Sequence, residues 1–142
     1  MANSYFQFKQ FIIQQEKAAL KVSTDSCLFG AWVANEMESG KLKIESALDI
    51  GAGSGLLMLM LAQKCNAAID GIEIDTASYF QAKENMEACV LKNRLQLIHA
   101  DVKSFRFQKK YNFIISNPPF YEADLKSDSS IHGGQPTTLH SC

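Results

Sequence analysis

The sequence predicts an α/β domain in which a parallel sheet carries helices on both faces, and three observations predict it. Beyond residue 45, short apolar runs alternate with segments of helical period, the pattern of successive strand–helix–strand units. The first run turns into its helix through Asp49-Ile50-Gly51-Ala52-Gly53-Ser54-Gly55, whose glycines let backbone approach a ligand at a helix N-terminus. Glu73 and Asp101 then stand at or just behind the ends of the next two runs, so that three strand ends would face one crevice.

Each element can be justified in turn. Phe6, Phe8, Phe11 and Ile13 recur with a period near two and predict a strand or an extended arm. Thr24-Asp25 opens a largely apolar helix with Leu28, Phe29, Ala31 and Trp32, which ends near Asn35 and covers the sheet. Residues 46–50 read as the first core strand and 54–64 as its helix. Residues 68–74 read as the second strand. A helix over 76–91 follows, capped by Asp75 or Thr76, with Ala77, Phe80, Ala88 and Leu91 on its inward face. Residues 95–98 make the third strand and 111–116 the fourth, joined by a segment with room for one helical turn. The organisation is then an N-terminal arm and covering helix over 1–35, a core over 36–121, and a polar tail over 122–142 that is expected to be poorly ordered. A sheet ending at the fourth strand would leave Phe113, Ile114 and Ile115 with an unpaired edge and a thinly covered face.

Composition bounds the possibilities. At 142 residues, 46% hydrophobic and 20% charged, the chain has the make-up of one ordinary domain with a real core. The strongest apolar stretch, 56–62, is too short for a membrane span, and Met1-Ala2-Asn3-Ser4-Tyr5 lacks a basic then apolar signal region, so the protein reads as cytoplasmic. Cys27, Cys65, Cys89 and Cys142 form no C-x-x-C pair, and His99, His132 and His140 form no ligand cluster; neither a metal site nor a disulfide framework is expected. A net charge of −1 gives no compositional argument for nucleic-acid binding. Two local basic groups, Lys9, Lys17 and Lys21, and Lys103, Arg106, Lys109 and Lys110, read first as solvated surface.

The most specific chemistry lies in Asn117-Pro118-Pro119-Phe120, directly behind the apolar run 111–115. An amide, a rigid diproline and an aromatic ring make a slot for a flat amine: Asn117 Oδ1 and the Pro118 carbonyl accept hydrogen bonds from an NH2 group, and Phe120 offers a stacking face. The glycine loop alone is less specific, because such turns serve NAD, FAD and S-adenosylmethionine (AdoMet) alike; its G-x-G-x-G spacing departs from the G-x-G-x-x-G of dinucleotide cradles. Glu73 is placed to accept both hydroxyls of an adenosine ribose, and Asp101 to accept from an adenine amine. Asp75 is better explained as a helix cap.

This ordered set resembles the class I AdoMet-dependent methyltransferases that carry an N-P-P-[FYW] motif. The opening Phe6-Gln7-Phe8-Lys9-Gln10-Phe11, with Lys21-Val22-Ser23-Thr24-Asp25 and Gly30-Ala31-Trp32, is similar to the F-x-F-K-Q-F…M-K-V-x-T-D-G-x-L-L-G-A-W of the bacterial tRNA1(Val) adenine-N6-methyltransferases. Leu20, Ser26 and Phe29 stand where that family has methionine, glycine and leucine. The resemblance runs from about Phe6 to Tyr121 and implies a Rossmann-like fold, AdoMet as methyl donor and an anticodon-loop adenine of a valine tRNA as acceptor. It implies that Asp49, Gly51, Gly53 and Gly55 hold the methionine part of AdoMet, Glu73 the ribose and Asp101 the adenine, with Lys21 and Thr24 closing over the methionine end. Asn117, Pro118, Pro119 and Phe120 would be the catalytic loop, Phe120 and Tyr121 holding the splayed base. That fold continues for about three more strands beyond the loop. Residues 122–142 show no further apolar strand, so the chain is expected to carry only the cofactor-binding half. Release-factor glutamine and rRNA guanine methyltransferases share the loop and remain alternatives, as does a non-catalytic AdoMet-binding fragment.

Overall fold

A computed structural model describes residues 4–118; Pro119, Phe120, Tyr121 and the stretch 122–142 lie outside the described residues. The arm forms an antiparallel hairpin of β1 (Tyr5–Gln7) and β2 (Ile12–Gln14), with Tyr5 opposite Gln14. Three helices follow in turn, α1 (Thr24–Glu38), α2 (Leu56–Ala62) and α3 (Thr76–Glu87). The core sheet contains β3 (Ser46–Ile50), β4 (Ala68–Glu73), β5 (Leu95–His99) and β6 (Phe113–Ser116), in the order β5-β4-β3-β6 with every pair parallel. The chain thus winds outward from β3 to β5 and then returns to lay β6 on the other side of β3. The expected Rossmann-like architecture and its core strands are what the structure shows.

Strand register decides which face each side chain serves. Ala47 lies beside Ile69 and Phe113, and Asp49 beside Gly71 and Ile115. Ala47, Ile69 and Ile115 share one buried cluster with Val33, Ala34 and Met37 of α1, Leu57, Met58 and Leu61 of α2, and Met86 of α3. Helices on both faces were expected; among the described residues all three α-helices pack on this one face. The other face is covered by irregular chain between β5 and β6, where Phe105, Phe107 and Tyr111 meet edge to face. There Asp70, buried on β4, accepts from Tyr111 Oη at 2.7 Å and from Lys109 Nζ at 2.6 Å.

Four helix boundaries differ from the sequence reading: both ends of α2, which stops at Ala62 rather than 64, and the C-terminal ends of α1 and α3. Helix α2 starts at Leu56 instead of residue 54, because Gly55 sits at φ +88°, outside helical space. Helix α1 runs on to Glu38 and begins behind Ser23, whose Oγ accepts from Ser26 N at 3.2 Å while Ser26 Oγ accepts from Ser23 N at 3.0 Å. Ser23 and Ser26 therefore form a capping box. Helix α3 stops at Glu87, so Leu91 packs inward from the following turn rather than from the helix.

The inward faces are corrected as well. In α1, Gly30 packs against Met60 and Leu57 of α2, which turns Val33, Ala34 and Met37 inward and leaves Leu28 and Trp32 each 63% exposed. In α3 the buried residues are Ser78, Gln81, Ala82, Asn85 and Met86, while Ala77, Phe80 and Ala88 are exposed. The polar members point inward because the arm lies across them: Gln14 N, Lys17 N and Ala19 N donate to Asn85 Oδ1, Gln81 Oε1 and Ser78 Oγ.

Candidate functional site

In an open α/β sheet, ligands bind beyond the carboxyl ends of the strands where the winding reverses, here between β3 and β6. The segment behind β3 is the glycine loop. Gly51 N and Ala52 N donate to Ile72 O at 2.9 and 3.1 Å, which folds the loop back over the end of β4. Gly51 and Gly53 adopt φ +75° and +58°, conformations that L side chains rarely take. A Cβ on Gly51 would meet nothing within 4 Å among the described residues, so the loop presents bare backbone to the cleft; one on Gly55 would touch Ala82. Gly51 and Gly53 thus leave backbone open at the cleft, whereas Gly55 lies against Ala82 of α3.

Asp49, just ahead of the loop, is 1% exposed, and neither carboxylate oxygen has a hydrogen-bond partner among the described residues. Burial, followed by the nearby charge of Glu73, pushes its carboxyl up to about 7. Glu73 is also buried, and its two oxygens bridge two turns: Oε1 accepts from Gly53 N at 2.7 Å and Oε2 from Asp75 N at 3.0 Å. Each oxygen keeps lone-pair capacity for a ligand hydroxyl. Asp75 caps α3, and the hydrogen bond from Ser78 lowers its carboxyl below the usual range. Asp101 follows β5; Ala100 N donates to Glu73 O at 3.2 Å, and Asp101 Oδ1 accepts from Lys103 N at 2.9 Å. The three carboxylates therefore occupy neighbouring strand ends, with Asp101 also closing its own turn.

A cleft of about 310 Å³ lies over the loop, lined by Gly51, Gly53, Ser54, Asn117 and Pro118. Ser116 Oγ donates to Ile50 O at 2.9 Å and fixes the end of β6 on β3, immediately ahead of Asn117. Leu20, Lys21, Ser23, Asp25 and Ser26, from the end of the arm and the start of α1, also line the cleft. Lys21 is among them, but its ammonium turns into the arm and donates to the carbonyls of Gln15, Glu16 and Ala18 at 2.6, 3.2 and 3.3 Å. Thr24 opens α1 and is absent from the lining. The sequence gives Asp25, Ser26 and Ser54 no place in the cleft lining; Thr24-Asp25 signals a helix start, and no spacing rule shows that this start faces the glycine loop. A larger groove of about 430 Å³ runs between α3 and β5, past Tyr79, Lys83 and Leu97. It lies away from the reversal point and contains none of the expected residues. Among the described residues, no three His, Cys, Asp or Glu side chains group as a metal site.

Comparisons with known proteins bear on the family and the fold. The curated tRNA1(Val) (adenine(37)-N6)-methyltransferase of Dyadobacter fermentans is 44% identical over 126 residues, covering 88% of this chain and 50% of that protein. The enzyme of the same name from Flavobacterium johnsoniae is 45% identical over 126 residues, covering 87% and 52%. The chain spans about half the length of these relatives. Among solved structures, the hMettl16 catalytic domain in complex with MAT2A 3'UTR hairpin 6 superposes with TM-score 0.62 at 20% identity, over 92% of this chain and 46% of that one. The glycopeptide N-methyltransferase MtfA complexed with AdoMet gives TM-score 0.53 at 17% identity, over 61% and 36%. These two likenesses carry the fold. Residues 31–132 match the family described as Methyltransferase small domain, and the chain belongs to that family.

Proposed function

We propose that this chain carries the cofactor cleft and amine-recognition loop of an AdoMet-dependent methyltransferase that modifies N6 of an adenine in tRNA. The carrying observation is that Asn117 and Pro118 line the same cleft as Gly51 and Gly53. The relatives' names supply the tRNA, its valine identity and the adenine. A tRNA substrate implies a cytoplasmic protein.

The residues present fit AdoMet. Bare backbone at Gly51 and Gly53 admits the amino-acid part, and Glu73 has lone pairs left for ribose hydroxyls. Asp49 holds an unsatisfied buried carboxyl beneath the loop that a cationic ligand would help to ionise. Asp101 would take the adenine amine. When bound, AdoMet supplies a methyl group on a positively charged sulfur. The chain's own task is to present the target amine, whose lone pair is delocalised into the purine ring and is a poor nucleophile. Hydrogen bonds from the NH2 group to Asn117 Oδ1 and the Pro118 carbonyl favour a more tetrahedral nitrogen and stabilise the positive charge that develops on it. Phe120, with Tyr121 beside it, would stack on the splayed base and fix its distance. The alkylated nitrogen sheds its proton readily, so positioning and electrostatics carry the rate rather than a general base.

The test is transfer of tritiated methyl from AdoMet into tRNA, release factor and ribosomal RNA in parallel, using the complete protein. Label confined to adenine of tRNA supports the reading. Label in release-factor glutamine or rRNA guanine would move the enzyme to one of the other groups that use the same loop. AdoMet binding without transfer to any of the three would leave a binding fragment.

A further inference from the structure

The buried polar face of α3 has no role in the proposed chemistry, and its best-connected member is Asn85. This side chain is 2% exposed. Its Nδ2 donates to Gln14 O and to Ser54 O, each at 2.8 Å, while its Oδ1 accepts from Gln14 N at 2.8 Å. One amide thus grips the arm on one side and the glycine loop on the other. Both of its donors are used, and it lies where water does not replace a lost partner.

The arm changes character at this point. Phe11 and Ile13 anchor it in an apolar cluster with Leu56, Leu59 and Cys89. Past Gln14 its backbone donates to side chains of α3, Lys17 N to Gln81 Oε1 and Ala19 N to Ser78 Oγ, both at 3.0 Å, and Lys17 Nζ pairs with Glu84 Oε1, before Leu20 and Lys21 reach the cleft. The loop end of the link is equally direct. Ser54 stands between Gly53, held by Glu73, and Gly55, which starts α2. Releasing the arm would leave Asn85 without two of its three bonds, which loosens its hold on Ser54.

We propose that Asn85 is a positioning residue that makes docking of the arm and ordering of the glycine loop one equilibrium, so that the strap 14–22, held at Gln14 by Asn85, and the glycine loop open and close together. The proposal rests on the function above only for the identity of the ligand.

Native-state hydrogen exchange on the whole chain tests it, read at Lys17 and Ala19 in the arm, Gly53 and Gly55 in the loop, and Ile69 in the sheet. Without ligand, the arm and loop amides are expected to open with the same urea dependence, ahead of the sheet. Asn85→Leu, close in size but without the donors, is expected to raise exchange about tenfold in both arm and loop while Ile69 is unchanged, as for loss of hydrogen bonds confined to one unit. Gln81→Leu should release Lys17 alone. Arm and loop opening independently in the wild type overturns the proposal, as does Asn85→Leu freeing the arm with the loop unmoved. If that variant does not fold, the wild-type urea comparison decides. Adding S-adenosylhomocysteine should slow exchange in the arm as well as the loop; a protected loop with an untouched arm overturns the coupling. No protection in either counts against the AdoMet reading, and the ligand-free comparison still decides the coupling.

Discussion

Asp49 has its ionised form opposed both by complete burial and by the neighbouring charge of Glu73, which places its carboxyl at about 7 against 3.8 for an exposed group. The folded state therefore holds this proton more tightly than the unfolded chain does. The stability contributed through Asp49 is full below about pH 4, declines as pH rises toward 7 and is flat above, because protons bound only in the native state favour it. At roughly 1.4 kcal/mol for each tenfold difference in proton affinity, the decline is on the order of a few kcal/mol. Asp49→Asn should remove it: the wild-type urea midpoint is expected to fall between pH 5 and pH 8 more steeply than that of the variant, and parallel profiles would contradict the assignment. Asn117 presents a different test. It lines the cleft without supporting the core, so Asn117→Ala in the complete enzyme should leave AdoMet affinity intact and lower turnover by about two to three orders of magnitude, as for loss of one transition-state hydrogen-bond partner. Unchanged methyl transfer would remove Asn117 from the chemistry.

At the scale of elements, the core strands were legible because short apolar runs bounded by polar or glycine segments state a strand without reference to what covers it. The faces of α1 and α3 were not. Leu28, Trp32 and Phe80 look like core residues by type, yet each is more than half exposed, while Ser78, Gln81 and Asn85 are buried. The reason is a partner distant in sequence: the arm supplies backbone donors to α3 from 59 to 71 residues away, and polar side chains answer them. Two substitutions test element packing. Gly71 lies in β4, where a Cβ would run into Met58 Sδ and come within 3.1 Å of Ala52 and Leu97. Gly71→Val is therefore expected to lower unfolding free energy by about 1–3 kcal/mol or more through overpacking, despite its better strand propensity. Ser23→Ala breaks the capping box of α1 and should cost about 1 kcal/mol in the same denaturation measurement.

At the scale of the whole molecule, three helices among the described residues close one sheet face, and the irregular chain before β6 covers part of the other. Ile114 stands on that second face, beside Leu48, and is 58% exposed on a strand whose outer edge has no partner among the described residues. Such an edge promotes association. Ile114→Lys should lower concentration-dependent light scattering while leaving the thermal midpoint nearly unchanged; equal scattering would show that association, if any, uses another surface. The sequence by itself determined the parallel strands, the glycine turn and the order of Glu73, Asp101 and Asn117 along successive strand ends, because each is written in local composition and spacing, while the family was legible through the resemblance of its motifs. Only the tertiary structure decided that β6 returns beside β3 and brings Asn117 over Gly51, that the arm and the start of α1 form another wall of the cleft, and that Lys21 spends its charge on the arm's carbonyls. Those outcomes depend on contacts between segments tens of residues apart, where burial and hydrogen-bond satisfaction outweigh what any local pattern favours.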